Sequence, residues 1–397
     1  MKKLILLIST LVIFSSGLFA FDFFGDRFFE IKAGVDLGLS NNATTIDRIF
    51  KENLEIDLKD LAGRVPDSGF DLSLYAKPGV QTKLAIGPFS LALQSGLEMH
   101  NITNIGDDLF DFLGYGNNLG QTITVDVKDD LDVFAYYQIA LGLKFKRFNI
   151  KLAPSVFLPI VATSGKIGDV TVENDALGNF NLNMNLNAKL YSVVDIQKLR
   201  EMEIDPYDLI KNAGYDLAGQ VDLPLSKKLV VSAYARVPLV PGTLNTVSSL
   251  TGSYSFTANL ATQSYNSSDF QYQIGLGSQT EYKIHRPLKA ALYLDYYPIK
   301  NFLCLHLGGG AGIFRPFSDE IHWYPEYIAG LNLNLLGILK MNLSTEYTDR
   351  VFVHQAGLSL NIRLIEITTG VSAQSSDFVK SFTGAGFGAY VYVTVGF

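Results

Sequence analysis

Apolar and polar residues alternate with a period of two along most of the chain. Residues 179–191 are the clearest case, because every second residue there is apolar while five asparagines, one lysine and, at the end, Tyr191 hold the other positions. A period of two is typical of a β-strand with one dry and one wet face. Similar runs recur to the end of the chain, each about ten residues long, which is the length a tilted strand needs to cross hydrocarbon. The pattern therefore predicts an all-β protein with membrane-spanning strands.

The connections between these runs alternate between tight and long. Tight junctions are found at residues 87–88, 146–147, 336–337 and 363–364, whereas long polar segments occupy 41–68, 100–130, 161–178 and 374–383. Short turns at one rim and long loops at the other are typical of outer-membrane barrels with an even number of strands. Counting the hairpins gives 16 strands when residues 179–191 are left out of the wall, and 14 when weaker runs merge. We predict a transmembrane antiparallel β-barrel of the bacterial outer membrane with 14 strands, with 16 as the alternative.

The last thirteen residues carry the strongest local pattern. From residue 385 onward apolar residues alternate with glycine, tyrosine and threonine, and the chain stops on Phe397. This resembles the closing strand of bacterial outer-membrane barrels, whose terminal aromatic residue is read by the barrel assembly machinery. The resemblance implies that Phe397 is the assembly signal and that this machinery is a partner, together with outer-membrane lipid.

Composition excludes several other classes of protein. The 397 residues are 48% hydrophobic and 18% charged, whereas soluble domains average about 25% charged. Beyond the N-terminus no run of roughly 18 apolar residues predicts a membrane helix. A net charge of -7 argues against a nucleic-acid partner, and the single cysteine permits no internal disulfide.

The first twenty residues predict export. Lys2 and Lys3 precede an apolar run, and small residues follow it up to Ala20. This arrangement predicts a secretory signal peptide at residues 1–20. Residues 21–397 are then one barrel domain, with a possible hatch or plug at its N-terminal end.

The alternation also predicts which residues line the lumen. Phe134, Tyr136, Tyr390 and Tyr392 fall on the inward face, among asparagines and small residues, so we predict that they line the path of the substrate. A mixed polar and aromatic lining suits an amphipathic ligand better than bulk ions, and no basic cluster marks an anion-selective constriction. Three segments in the long loops, residues 45–65, 107–113 and 196–213, are predicted to contain short helices that cap the mouth or fold inward.

The whole layout resembles the long-chain fatty-acid transporter family (FadL-like), particularly its divergent spirochaete members. The resemblance rests on the signal peptide, the large barrel with helical loops and the terminal aromatic strand, and it implies 14 strands, an N-terminal hatch and passage of hydrophobic molecules. The Asn-Pro-Ala element typical of the family's hatch is absent, because residues 21–29 read Phe-Asp-Phe-Phe-Gly-Asp-Arg-Phe-Phe.

Histidines give little support for an enzyme. His306 and His354 lie inside alternating runs, and His100 and His322 lie near acidic loops without a spacing that catalysis requires. Glu320, His322 and Glu326 are suitable metal ligands by type, but their spacing fits loop solvation better. We predict no enzymatic activity, no metal and no cofactor.

The sequence thus predicts an outer-membrane uptake channel for hydrophobic small molecules such as long-chain fatty acids. Two alternatives stay open. One is a general porin for small polar solutes, and the other is a structural or adhesin barrel whose loops face the host.

Overall fold

The computed structural model describes residues 27–45, 57–116, 120–163, 165–175, 179–201, 206–259, 262–318, 321–335, 337–362 and 364–397. The predicted signal peptide, residues 1–20, lies outside the described residues. The same holds for residues 21–26, where the predicted hatch begins, and for residues 46–56 of the first long loop.

The described chain forms one antiparallel sheet of 21 strands. The strands are β1 (Phe29–Asn41), β2 (Phe70–Ala76), β3 (Gly79–Ile86), β4 (Phe89–Ile105), β5 (Gln121–Lys144), β6 (Asn149–Ala162), β7 (Lys166–Asn174), β8 (Asn179–Ser192), β9 (Gly214–Ser226), β10 (Leu229–Val240), β11 (Gly242–Asn259), β12 (Ser264–Ser267), β13 (Gln271–Ile274), β14 (Ser278–Ile284), β15 (Leu288–Ile299), β16 (Leu303–Phe314), β17 (His322–Leu335), β18 (Leu339–Thr348), β19 (Val351–Asn361), β20 (Ile365–Ser375) and β21 (Gly386–Gly396). The helices are α1 (Leu58–Ala62), α2 (Asp107–Tyr115), α3 (Ile196–Glu201) and α4 (Pro206–Lys211), with a 3-10 turn at Lys380–Phe382.

The sheet closes on itself, because the last strand pairs with the first. β21 lies antiparallel to β1 from Glu30↔Gly396 to Ser40↔Gly386. β2 and β3 occupy one position in the wall, since both pair with β1 and β4 in a single register and are separated only by Lys77 and Pro78. Closure leaves no open edge in the membrane, where backbone groups have no water to bond.

The predicted strand count of 14 is wrong. The closed barrel has 16 strands, and the five strands not counted among them are β11 to β14 and one of the pair β2 and β3, which share a position. The extra pair of strands is β7 and β8. At the long-loop end of the barrel β5 pairs with β7, β7 pairs with β8, and β8 pairs with β6. Nearer the tight-turn rim, β5 and β6 pair directly with each other. β8 is the alternating run at residues 179–191. The 16-strand alternative left this run out of the wall, whereas the structure includes it in the circuit of paired strands.

The two faces of the wall separate apolar from polar residues as the alternation predicted. On β21, Phe387, Val391 and Val395 point outward and are exposed, whereas Tyr390 and Thr394 are buried inside. β5 shows the same arrangement, with Ile139 and Leu141 outside. The outer surface is therefore an apolar belt suited to lipid. The role of Phe397 as an assembly signal stays a prediction.

Tight turns gather at one rim and long connections at the other. The tight rim includes residues 87–88, 227–228 and 300–302, and by the usual asymmetry it faces the periplasm. One tight turn lies instead at the opposite rim, between β18 and β19. Its two residues, Asp349 and Arg350, both have positive φ, +51° and +70°, as a two-residue hairpin turn requires.

The strands extend beyond the membrane on the long-loop side. β4, β5, β7, β8 and β11 continue there as a sheet that packs against α2, whose Leu109 and Phe112 contact Val125, Val170 and Val172. The segment 100–130, predicted as a polar loop, therefore contains strand ends as well as the predicted helix. None of the helices in the described residues is long and apolar enough to cross a bilayer.

A charge on the outer belt is expected to destabilise the barrel. Leu307 points outward from the middle of β16, so Leu307→Arg is expected to lower the free energy of unfolding by about 2–4 kcal/mol. Leu276→Arg makes the same change at an exposed position on the long-loop side of the sheet, and it is expected to change the free energy of unfolding by no more than about 0.5 kcal/mol. Urea unfolding of both variants in lipid vesicles measures the difference. Equal losses would show that Leu307 does not face lipid.

Candidate functional site

A cavity of about 410 Å³ lies within the barrel. It is lined from several sides of the wall, with β1, β2, β4, β10 and β15 to β19 contributing. Its aromatic lining residues include Tyr75, Tyr136, Tyr234, Tyr293, Tyr324 and Tyr392. Leu97, Ile328 and Val353 add apolar surface, so the lining is mixed aromatic, aliphatic and charged.

The first charged group in this cavity centres on Asp349, in the extracellular turn between β18 and β19. Its carboxylate accepts hydrogen bonds from Lys77 Nζ at 3.0 Å, Lys289 Nζ at 2.9 Å and the Tyr324 hydroxyl at 3.2 Å, and His100 Nε2 lies 3.7 Å away. Burial alone would raise the pKa of Asp349, but Lys289, Lys77 and His100 together hold that pKa well below its usual range. One turn is thus tied to strands on several other parts of the wall.

The second group centres on Arg286, which lies between β14 and β15. Its guanidinium donates to Glu98 and Asp216, each at 2.7 Å, and lies 4.6 Å from the ring centroid of Tyr136. Arg236 Nη1 also approaches Glu98, at 3.5 Å. Glu98 is on β4 and Asp216 is on β9, so Arg286 joins three parts of the barrel.

The third group joins β5 to the extracellular connections. Arg315, in the connection between β16 and β17, donates to Asp132 at 2.9 Å and to the carbonyl oxygen of Thr163. Arg350, next to Asp349 in the turn, lies 3.5 Å from Asp130. Adjacent residues of one turn therefore bind opposite charges on separate strands.

Together these groups cross the lumen. Asp349 and Arg350 reach from the β18–β19 turn to β15, to the junction of β2 and β3, and to β5. An apolar cluster beside Arg286 and Tyr136 also fills the lumen. It consists of Phe134, Phe157 and neighbouring residues of β11 and β14. The mouth of the barrel is therefore filled by side chains.

The predicted lining residues all face inward, but they do not share one site. Tyr136 and Tyr392 line the cavity. Phe134 is only 2% exposed and packs edge-on against Phe157 in the apolar cluster. Tyr390 is buried and bonded to Asn342. A role in binding substrate stays a prediction for all four.

Sequence reasoning missed the charged groups. Some members are isolated charges on inward positions of strands, such as Glu98, Arg236 and Glu326, and others, such as Arg286 and Asp349, lie in the connections between strands. An isolated charge within an alternating run was the only sign available, and it does not identify a partner.

The histidines are placed in structural contacts. His306 Nδ1 lies 2.5 Å from Asp295 Oδ1, and His354 contacts Thr345 and Ser381. His322 is exposed at the start of β17 while Glu326 pairs with Lys289, and Glu320 lies outside the described residues. No group of three potential metal ligands is found among the residues that the structure describes.

A closed antiparallel barrel with an apolar belt and a polar lumen defines an outer-membrane β-barrel protein. Solved structures similar to this chain include the P. putida toluene transporter TodX, with a TM-score of 0.49 and 8% identity over 94% of this chain and 91% of that chain. The Ralstonia pickettii toluene transporter TbuX has a TM-score of 0.46 and 6% identity, covering 94% of this chain and 90% of that chain. The CymD monoaromatic hydrocarbon channel has the same TM-score and identity, covering 94% and 89%.

By their names, these neighbours are transporters of toluene or channels for monoaromatic hydrocarbons. All three TM-scores lie below 0.5 and the identities below 10%, so the likeness alone does not assign the chain to a family. No family model and no curated protein matches the chain.

Proposed function

We propose that this protein is an outer-membrane uptake channel for hydrophobic small molecules. The observation that carries the proposal is the cavity of about 410 Å³ inside a lumen that ion pairs cross. Ligand pockets in proteins commonly measure about 300–1,000 Å³ and are lined by apolar and aromatic groups with a few polar ones. The tyrosines and aliphatic residues of this lining meet that description.

The same geometry argues against a general porin. A porin keeps an aqueous channel through its lumen. Here the Asp349 group, the Arg286 group and the Arg315 group each join separate strands through side chains that are mostly buried. Bulk solutes would have to displace these ion pairs, whereas a molecule that binds in the cavity needs only a transient opening.

The proposal includes no chemical step. Within the described part of the chain, His306 and Asp295 form a hydrogen-bonded pair of the type that catalytic sites use, but the imidazole stacks on Tyr293 at 5.5 Å between ring centroids. We propose that this pair fixes the wall of the cavity. Outer-membrane lipid around the apolar belt and the barrel assembly machinery acting on Phe397 complete the proposed partners.

Two adjacent glycines of β16 provide a matched test. A side chain at Gly308 would point into the lumen against Tyr293 and Ile328, whereas one at Gly309 would meet open space. Gly308→Leu is therefore expected to weaken binding of a neutral hydrophobic dye, N-phenyl-1-naphthylamine, by about tenfold, while Gly309→Leu keeps wild-type binding. Fluorescence titration of amphipol-trapped protein measures both.

Heat-modifiable mobility on gels checks that both variants are folded, and Gly308→Ala serves if the leucine prevents folding. Saturable dye binding displaced by toluene or dodecanol supports the proposal. Absence of saturable binding to the wild type, together with large stable conductance steps in planar bilayers, would replace it with a porin.

A further inference from the structure

Among the described residues around the cavity, carboxylates outnumber the lysines and arginines that form salt bridges. Six cationic side chains each form a salt bridge there, namely Lys77, Arg236, Arg286, Lys289, Arg315 and Arg350. Their partners are six carboxylates, Glu98, Asp130, Asp132, Asp216, Glu326 and Asp349. Two more carboxylates line the same cavity, Asp36 and Glu346, and neither forms a salt bridge with any residue that the structure describes.

Among the residues that the structure describes, only neutral groups donate hydrogen bonds to Asp36 and Glu346. The Tyr75 hydroxyl donates to Asp36 at 3.2 Å, and Gln355 Nε2 donates to Glu346 at 3.2 Å. Both carboxylates line the same cavity as Lys77, whose ammonium is bonded to Asp349. Two like charges in a cavity without a bonded cation are costly, because burial removes water that would otherwise screen them.

Aromatic rings surround the same carboxylates. Tyr75 belongs to β2 and donates its hydroxyl to Asp36, and Tyr392 belongs to β21 and lines the same cavity as both carboxylates. The Tyr392 ring already receives a cation, since Lys32 Nζ lies 4.6 Å from its centroid. Carboxylates next to tyrosine faces form an environment that attracts organic cations.

Two buried polar atoms near these carboxylates have no hydrogen-bond partner in the described structure, which also favours a ligand there. Gln374 is fully buried and its amide crowds Gly38 together with the Tyr75 ring, yet its Oε1 has no hydrogen-bond partner. Ser73, 5% exposed, lines the cavity, and its Oγ has no partner either. Both oxygens can accept a hydrogen bond, and neither receives one from any residue that the structure describes.

We propose that the cavity takes amphiphiles whose polar end is a protonated amine, held by Asp36 and Glu346. The ammonium group donates to the two carboxylates and lies against the rings of Tyr75 and Tyr392. The hydrocarbon part contacts the aliphatic and aromatic lining. A fatty-acid carboxylate would meet like charge in the same position, so the inference narrows the substrate class. It rests on the proposed function, because it concerns the ligand of the same cavity.

Three probes with the same chain separate the head groups. Dodecylammonium, dodecanol and dodecanoate are each titrated against N-phenyl-1-naphthylamine bound to amphipol-trapped protein at pH 7, the two ionic probes below their micelle concentrations and dodecanol below its solubility limit. We expect dodecylammonium to displace the dye at a concentration at least about tenfold below that of dodecanol, with dodecanoate weakest. In Asp36→Asn/Glu346→Gln the advantage of the amine is expected to vanish while dodecanol binding is kept.

Asp126→Asn is the matched control, since it removes a carboxylate from an exposed ion pair with Lys166 outside the cavity. The single variants Asp36→Asn and Glu346→Gln carry the test if the double variant does not fold. Equal displacement by the amine and the alcohol, or an amine preference that survives the double substitution, overturns the inference. If dodecanol does not bind to the wild-type protein, the proposed function itself is overturned.

Discussion

Asp349→Asn is expected to open the lumen to small polar solutes. The carboxylate of Asp349 is the salt-bridge partner of Lys77 and shares Lys289 with Glu326. Its turn also holds two non-glycine residues in the left-handed region, which costs roughly 1–2 kcal/mol for each residue and requires support from its surroundings. Removing one partner of a buried ion pair costs about 3–5 kcal/mol. The turn then loses its fixed position across the mouth.

Single-channel conductance in planar bilayers and swelling of proteoliposomes in sugar solutions measure the opening. We expect at least a tenfold gain over the wild type, which corresponds to only about 1.4 kcal/mol and is less than the cost of the broken pair. Asp126→Asn, in the exposed pair with Lys166, is expected to leave both measurements unchanged. A folded Asp349→Asn barrel with wild-type conductance would show that this turn does not close the lumen.

The local features of the fold could be read from the sequence because a strand shows both of its faces in order. The outward Phe387, Val391 and Val395 lie an even number of positions apart, and the structure places them on the apolar belt. Helix α2 was predictable for a similar reason, since its apolar residues lie within one short segment.

The strand count was not predictable in the same way. β7 and β8 alternate as well as any membrane strand, yet they extend the wall on the long-loop side. A period of two indicates only that one face of a strand is polar and the other apolar. A sheet outside the membrane that is covered by a helix shows this pattern as clearly as a sheet that faces lipid. Gly165, with φ +74°, lies in the break that turns β6 into β7, and a lone glycine does not distinguish such a break from a loop.

The candidate site was hidden for a different reason. Lys77 and Asp349 are 272 residues apart, and Glu98 and Arg286 are 188 apart. Only closure of the barrel brings them together, and a single sequence contains no rule that matches one isolated charge to another. Tyr136 and Tyr392 were found because a lumen-facing aromatic residue needs no partner to be recognised.

Arg286→Met is expected to give the largest loss of stability. The Arg286 side chain is 3% exposed, and it pairs with Asp216, 1% exposed, and with Glu98, 19% exposed. Methionine fills similar space but leaves these carboxylates without their main cation, so we expect the free energy of unfolding to fall by about 3–5 kcal/mol. Urea unfolding in vesicles, followed by the fluorescence of Trp323, the single tryptophan, measures the change.

Two further variants separate charge from packing. Arg286→Met/Asp216→Asn also removes one of the two carboxylates that Arg286→Met leaves without their main cation. We expect it to recover part of the lost free energy of unfolding, because a buried charge without a partner is what destabilises the single variant. Lys283→Met breaks an exposed pair with Glu281 nearby and is expected to change stability by less than about 1 kcal/mol. If Arg286→Met unfolds like the wild type, the Arg286 group adds no net stability. If it unfolds early and the double variant shows no recovery, the loss comes from packing against Tyr136 and not from charge.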